Sequence, residues 1–237
     1  MTETVEGAVR HVADRAAAAA VRSGRDPHAV RIVGAVKGVD VATIGRAVSA
    51  GITELGENTA IQLRDKAGAL PGFVRWHYLG AIQTNKVRFL DAAQLVHGLD
   101  RIDEAAALQS RGERSGRLWD VLIEVNIAGE AGKQGVEPEV VEELLEQLQH
   151  YPLVTPRGFM FVAPQAQNPE DVRWTFAEGR RLSERFGLDE LSMGMSDDFE
   201  VAIEEGATIV RIGRALFGSR ETFRSQHPFS GGPRGII

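Results

Sequence analysis

The hydrophobic positions of the chain follow two alternating patterns. Short, continuous apolar runs alternate with longer segments in which apolar residues recur every three or four positions. The short runs are typical of buried strands, and the longer segments are typical of amphipathic helices. A leading segment, roughly Glu3 to Ser23, has alanines and valines at helical spacing, and Gly24 with Pro27 ends it. The pattern therefore predicts an N-terminal helix followed by alternating strands and helices.

Eight apolar runs follow the leading helix, and a helical pattern comes after each of them. The runs are RIVGAV, TELGE, VRWHYLG, QLVHGLD, WDVLIEVNI, TPRGFMFV, ELSMG and TIVRIG. Strands that alternate with helices pair in parallel through crossovers, and continuous apolar runs suit strands that are buried on both faces. Eight such units in 237 residues predict an α/β protein with a single (β/α)₈ barrel. A doubly wound open sheet is the alternative that the strand count alone leaves open.

No long linker divides the eight units, so the sequence predicts one domain. We expect the barrel to span residues 1–226. Residues 227–237, with the sequence HPFSGGPRGII, are expected to form a loosely ordered tail because their Gly and Pro residues leave little to pack.

Composition narrows the classes of function. The net charge of −6 and the pI near 5.6 argue against a broad basic surface for nucleic acid or for an anionic membrane. A local phosphate site is still compatible with this charge. The absence of cysteine excludes disulfides and thiolate catalysis, and the six histidines lack paired metal-binding spacing. The chain has no membrane-length apolar run and starts with the acidic MTETVEG, so we expect a cytoplasmic protein.

Lys37 is the first candidate for chemistry. Only four of the 27 basic residues are lysines, and Lys37 directly follows the apolar run RIVGAV. Barrel enzymes place their reactive groups at this carboxyl end of a strand. We expect partial burial there, which disfavours the ammonium form and frees the amine to attack an aldehyde. The alternative is a strand-end lysine that extends into solvent.

The last two units supply a candidate phosphate site. Arg211 lies in the final predicted strand, Gly213 follows it, and a short helix begins near Arg214. Loops after the last strands of a barrel, with the start of a short helix, often bind phosphate through backbone N–H groups. Ser196, in the preceding unit, is placed either to join this site or to cap the next helix. Gly213 alone is also compatible with a simple tight turn.

Other polar residues are expected at the same rim. Asn58 is placed to hydrogen-bond a ring substituent or to cap the following helix. His77 ends the third predicted strand, where a lone histidine is more often structural than catalytic. Asn126 and Lys133 lie on a Gly-rich segment that is typical of an exposed, mobile loop.

Six motifs carry a resemblance that spans most of the chain. They are, in order, GAVK, ELGEN, WHYLGAIQTNK, VNIAGEAGKQG, SMGMSDDFEVAI and VRIGRALFG. This set resembles the pyridoxal phosphate homeostasis proteins, whose barrel binds pyridoxal 5′-phosphate (PLP) and is similar to the N-terminal domain of alanine racemase. The resemblance, and not composition or periodicity, implies the cofactor.

The resemblance also implies roles for single residues. Lys37 is expected to form the internal aldimine, and Arg211 is expected to face the pyridine nitrogen. The complete set of expected cofactor-binding residues is Lys37, Asn58, His77, Ser196, Arg211, Gly213 and Arg214. Within it, Ser196, Gly213 and Arg214 hold the phosphate. No catalytic residue and no metal ligand is implied.

The chain departs from the usual family pattern at three positions. Val36 stands where a serine commonly precedes the lysine, Ala81 replaces a histidine, and Arg214 replaces a threonine. The change to Arg214 removes a hydroxyl donor for phosphate, although the backbone N–H remains and the guanidinium is a potential substitute.

The expected function is a non-catalytic PLP carrier or reservoir in intracellular vitamin B6 homeostasis. An arginine opposite the pyridine nitrogen opposes protonation of the ring, and an unprotonated ring is a poorer electron sink. We expect a monomer whose partners are PLP, other B6 vitamers and apo PLP enzymes, without nucleic acid or membrane. A PLP-dependent amino-acid racemase is the alternative, and a barrel enzyme acting on sugar phosphates through a Schiff-base lysine is a third hypothesis.

Overall fold

Eight short strands close on themselves. The computed structural model describes residues 3–218. Each strand pairs in parallel with the next, and the first also pairs with the eighth, so the sheet is a closed barrel. The strands are β1 (Arg31–Ala35), β2 (Glu54–Glu57), β3 (Arg75–Tyr78), β4 (Ala93–Leu99), β5 (Trp119–Glu124), β6 (Val154–Met160), β7 (Glu190–Ser192) and β8 (Ile209–Ile212). The predicted (β/α)₈ barrel is confirmed, and the open sheet is excluded.

Helices connect the strands on the outside. They are α1 (Val5–Arg22), α2 (Val41–Ser49), α3 (Ala60–Ala69), α4 (Ile102–Ser115), α5 (Val141–Leu148), α6 (Arg173–Phe186), α7 (Phe199–Glu204) and α8 (Arg214–Phe217). The predicted leading helix is present as α1, whose first turn is capped by the Thr4 hydroxyl accepting from the Gly7 N–H. It packs against α2, α7 and α8.

The connection after β3 differs from the prediction. The sequence predicted a helix over TNKVRFLDA, but the chain forms a 3₁₀ turn over Thr84–Phe89. Thr, Asn, Val and Phe are all weaker helix formers than Ala, Leu or Lys, so a short turn is the result that local propensity favours.

The side chains of each strand alternate between the barrel interior and the helix layer. One interior cluster is apolar and consists of Val33, Leu95, Leu122, Met160 and Ile209. Fully buried outward-facing side chains, among them Trp119, Phe159 and Phe161, pack under the helices. Several buried residues of the strands are polar: His77, His97, Glu124, Ser192 and Arg211. The interior is therefore not a uniformly apolar core.

The prediction of a loosely ordered tail at 227–237 falls outside the described residues. The barrel boundary predicted at residue 226 lies outside them as well, since the last helix that the structure describes is α8. No helix among residues 3–218 is long and apolar enough to cross a membrane.

Close approach of two strands requires a glycine in β6. A Cβ atom on Gly158 would overlap the backbone carbonyl of Glu190 in β7. Gly68, in contrast, is exposed near the end of α3, and a Cβ atom there would meet nothing within 4 Å. The two glycines thus differ in the space that a methyl group would have.

We expect Gly158→Ala to lower the free energy of unfolding by at least about 2 kcal/mol, because β6 and β7 must separate to admit the methyl group. Gly68→Ala is the matched control and should raise it by about 0.5 kcal/mol through helix propensity. Urea unfolding followed by circular dichroism measures both. Equal effects for the two variants would contradict the packing of β6 against β7.

Candidate functional site

The carboxyl ends of β7, β8, β1 and β2 are neighbours on one side of the barrel mouth. Ala35 of β1 pairs with Gly56 of β2, and a Cβ atom on Gly213 would lie 3.4 Å from the Ala35 carbonyl oxygen. Parallel strands end on the same face of a barrel. The predicted residues Lys37, Asn58 and Gly213 therefore follow three adjacent strands.

Lys37 lies in the turn that follows β1. It is two residues beyond Ala35, the last residue of the strand. The side chain is exposed, and no hydrogen bond or ion pair of its amine is found among residues 3–218. The expected partial burial of Lys37 is wrong, because the chain leaves the strand immediately in a turn through Gly38, whose φ is 80°. The rim is open at this point.

A buried ion pair connects the chain segments at the ends of the adjacent strands β1 and β2. The Lys66 amine donates to the Glu57 carboxylate at 2.5 Å and to the Val36 carbonyl oxygen at 2.7 Å. The second carboxylate oxygen of Glu57 accepts from the Asn58 N–H at 2.7 Å. Lys66 thus holds the residue before Lys37, while its partner Glu57 holds Asn58.

Arg211 is a fixed cation in the barrel interior. It is 6% exposed, and its guanidinium donates to the Ser192 carbonyl at 2.7 Å, the Ser192 hydroxyl at 2.6 Å and the Phe161 carbonyl at 2.8 Å. Burial lowers the pKa of Arg211 to about 10, against the opposing charges of Glu124 and Asp198. The group is therefore a cation at neutral pH, with its plane set by the ends of β6 and β7.

The loop after β7 contacts the start of α8. The Ser196 hydroxyl accepts from the Ala215 N–H at 3.1 Å, so it does not cap α7, which begins at Phe199. The Arg214 guanidinium forms an ion pair with Asp197, and both side chains are largely exposed. These contacts bring Ser196, Gly213 and Arg214 into one cluster, which we refer to as the Ser196 cluster.

Asn58 and His77 differ in their positions. Asn58 directly follows β2 in sequence and is half-buried. The N-cap of α3 is Thr59, so Asn58 does not cap that helix. His77 is buried inside the barrel, where its ring contacts Glu54 and lines a cavity at the amino ends of the strands. The expected place of His77 at the rim is wrong, because its side chain reaches toward the opposite end of the barrel.

Sequence reasoning missed Glu124 and His97. Each is a polar residue inside a short apolar run, LVHGL for His97 and VLIEV for Glu124, and this is the signal that could have identified them. His97 is fully buried and contacts His77 and Ser192. Among residues 3–218, no group of three or more His, Asp or Glu side chains is arranged to hold a metal ion.

Glu124 is a buried carboxyl without a hydrogen bond to any described residue. It is 7% exposed, and a Cβ atom on Gly98 would lie 3.1 Å from its carboxylate. Burial, reinforced by the charge of Asp100 and opposed by that of Arg211, raises the pKa of Glu124 to about 7. Glu124 is therefore an ionisable group that changes charge near neutral pH inside the barrel.

We predict a pH-dependent stability difference between the protein and its Glu124→Gln variant. Because the folded state binds this proton more tightly, Glu124 contributes stability below its ordinary pKa of 4.5, and the contribution is lost as the pH rises through about 7. Urea unfolding at pH 5 and pH 8 should show the parent losing up to about 3 kcal/mol relative to the variant. A constant difference between the two pH values would contradict this assignment.

Comparison with known proteins identifies the family. A family model described as the alanine racemase N-terminal domain matches residues 8–221. A pyridoxal phosphate homeostasis protein of Aquifex aeolicus is 43% identical over 218 residues, covering 89% of this chain and 96% of that protein. The protein of the same name from Escherichia coli is 33% identical and covers 89% and 94% of the two chains.

Solved structures give the same result. PipY of Synechococcus elongatus with PLP bound superposes with a TM-score of 0.74 at 31% identity, covering 87% of this chain and 100% of that one. The crystal structure of an unknown protein from Bifidobacterium adolescentis gives a TM-score of 0.85 at 30% identity, covering 90% of this chain and 94% of that one. An alanine racemase from Bartonella henselae, at 13% identity and a TM-score of 0.68, covers 90% of this chain and 63% of that one, and shares the fold. The chain therefore belongs to the pyridoxal phosphate homeostasis protein family, within the alanine racemase N-terminal fold.

Proposed function

We propose that this protein holds PLP as a Schiff base on Lys37 and serves as an intracellular carrier or reservoir of the cofactor. The observation that carries the proposal is an exposed amine at the barrel mouth that has no partner among residues 3–218. It directly follows β1, the strand that pairs with β8, which carries the fixed Arg211. A relative of the same fold, PipY, has been solved with PLP bound.

The residues present fit the chemistry of the cofactor. PLP supplies an aldehyde, a pyridine ring and a phosphate when it is bound. The amine of Lys37 suits the aldehyde, and Arg211 suits a position opposite the pyridine nitrogen. Asn58 follows β2, the strand paired with β1, and is proposed to contact the ring. Because Gly213 has no side chain, an anion could approach the backbone at the start of α8 closely.

The Ser196 cluster is proposed to bind the phosphate. Ser196 still has its hydroxyl hydrogen to donate, since its oxygen is the acceptor from Ala215. The guanidinium of Arg214 is paired with Asp197, so the backbone N–H of Arg214 is the more suitable donor from that residue. His77 is not part of this proposal because of its depth in the barrel.

The side chains inside the barrel suit a carrier of PLP better than they suit a PLP-dependent enzyme. Arg211 opposes protonation of a neighbouring ring nitrogen, which limits carbanion stabilisation. Tyr78 does not supply a second base, because its hydroxyl is committed to the Ala81 carbonyl at 2.9 Å and burial raises its pKa to about 12. The exposed amine of Lys37 suits release of the cofactor to apo PLP enzymes or exchange with other B6 vitamers.

Glu124 is the observation that keeps an amino-acid racemase as the second candidate. Its carboxyl is free of hydrogen bonds within residues 3–218, and its pKa of about 7 suits a general base. Rapid exchange of the α-hydrogen of an amino acid with solvent deuterium, abolished by Glu124→Gln, would favour the racemase over the carrier.

We expect Lys37→Ala to abolish the absorbance band of the PLP Schiff base. The parent protein, mixed with PLP and passed through a desalting column, should retain the band, because the imine holds the cofactor covalently. Lys133→Ala is the matched control: Lys133 is exposed and ion-paired with Glu130, so its loss should leave the band unchanged. Retention of the band by Lys37→Ala, or its absence from the parent, would contradict the proposal.

Transfer of the cofactor distinguishes a carrier from a static binder. We expect the PLP-loaded protein to restore activity to an apo aminotransferase, and to do so when excess free PLP has been removed. A phosphatase that destroys free PLP should not prevent restoration if the transfer is direct. Failure to restore activity would oppose the carrier role and leave a storage role.

A further inference from the structure

A continuous chain of hydrogen bonds runs through the barrel interior. Arg211 donates to the Ser192 hydroxyl at 2.6 Å, and this hydroxyl contacts Nδ1 of His97 at 2.9 Å. Nε2 of His97 lies 2.9 Å from Nδ1 of His77, whose Nε2 lies 3.0 Å from the Glu54 carboxylate. This series of hydrogen bonds thus joins Arg211 to the end of the barrel where the strands begin.

The chemistry of the two ends determines the direction of every bond. A guanidinium can only donate, and a carboxylate can only accept. With one proton on each imidazole, Ser192 must donate to His97, His97 to His77, and His77 to Glu54. Both histidines are then Nε2–H tautomers, and the four bonds point the same way.

Burial supports neutral imidazole in the middle of the chain. His97 is fully buried, and this burial, together with the nearby charges of Arg211 and Arg31, holds the pKa of His97 well below its usual value. At the Glu54 end, burial favours the neutral acid, but the hydrogen bond from His77 and the charges of Arg31 and Arg75 together lower the pKa of Glu54. Glu54 is thus the anion that ends the chain.

Glu54 lies at a polar cavity of about 360 Å³ at the amino ends of the strands. Ion pairs surround it: Arg31 with Glu190, Arg75 with Glu54 at 3.5 Å, and Arg157 with Asp120 at 2.8 Å. Of these carboxylates, Glu54 is the one whose oxygen contacts a histidine of the chain. Glu190 instead accepts from Arg31 and Thr208.

We propose that Glu54, His77 and His97 are positioning residues for Arg211. Because the Ser192 hydroxyl donates its hydrogen bond to His97, the lone pairs of its oxygen are oriented to accept from Arg211, and this fixes the guanidinium toward the barrel mouth. The proposal rests on the proposed function, in which Arg211 faces the pyridine nitrogen of PLP. None of the three residues reaches the rim, so they act on the cofactor only through Ser192 and Arg211.

The first test is the tautomeric state of the histidines in the protein without PLP. Long-range ¹H–¹⁵N correlation spectra, assigned with a His97→Gln variant, should show both His77 and His97 as Nε2–H tautomers. In Glu54→Gln the terminal amide both donates and accepts, so both histidines, including the distant His97, should become tautomeric mixtures. Glu190→Gln, in the same cavity, is the matched control and should change neither.

The second test is the affinity for PLP, measured by titration of the absorbance band. Glu54→Gln should weaken PLP binding by about tenfold, the order expected when a hydrogen bond to a charged group is disturbed. Glu190→Gln should bind as the parent does. Thermal unfolding of both variants checks that each is folded, and Ser192→Ala, which removes the hydroxyl itself, should weaken binding at least as much as Glu54→Gln.

The outcomes separate the two proposals. If the parent protein binds no PLP, the proposed function is wrong. The tautomer spectra still test the direction of the hydrogen bonds from Arg211 to Glu54. If the parent binds PLP but Glu54→Gln leaves either the histidine tautomers or the affinity for PLP unchanged, the positioning role is wrong. An Nδ1–H tautomer for His97 in the parent would also overturn it, because the bonds would then point the other way.

Discussion

The pairing of β1 with β8 is the constraint on which the rest of the structure depends. It closes the barrel with Val33 opposite Arg211, and it brings the turn at Lys37 beside Gly213. Residues that are about 175 positions apart in sequence are thereby held at one edge of the mouth. An open sheet of the same strands would leave these two ends on opposite edges, where no single ligand could contact both.

Hydrogen bonds hold the polar side chains inside the barrel, whereas the mouth at the carboxyl ends of the strands is open. Polar groups buried in a barrel are costly unless each one is hydrogen-bonded, and the chain from Arg211 to Glu54 meets this requirement with consecutive partners. Glu124 is the exception, since it has no such partner within the described residues and changes charge near pH 7 instead. At the mouth, in contrast, the amine of Lys37 is exposed and has no hydrogen-bond partner among residues 3–218. The proposed PLP site depends on this combination of a fixed arginine and an accessible amine.

Much of the fold and part of the site could be predicted from the sequence. The alternation of apolar runs with helical patterns gave the number and order of the strands, because each strand is buried on both faces. It also placed Lys37, Asn58 and Gly213 at strand ends. It could not give depth along the barrel axis: His77 was expected at the rim, yet its ring reaches Glu54 below. Nor could it give exposure, as Lys37 shows, or the pairing of Arg214 with Asp197, which depends on how two loops meet.

Borohydride reduction followed by peptide mapping tests the central claim most directly. Reduction converts an imine between PLP and a lysine into a stable amine, so the modified residue is identified by mass. The account predicts one pyridoxyl group per chain, on the peptide that contains Lys37. A label on Lys66, Lys86 or Lys133 instead, or no label at all, would contradict it.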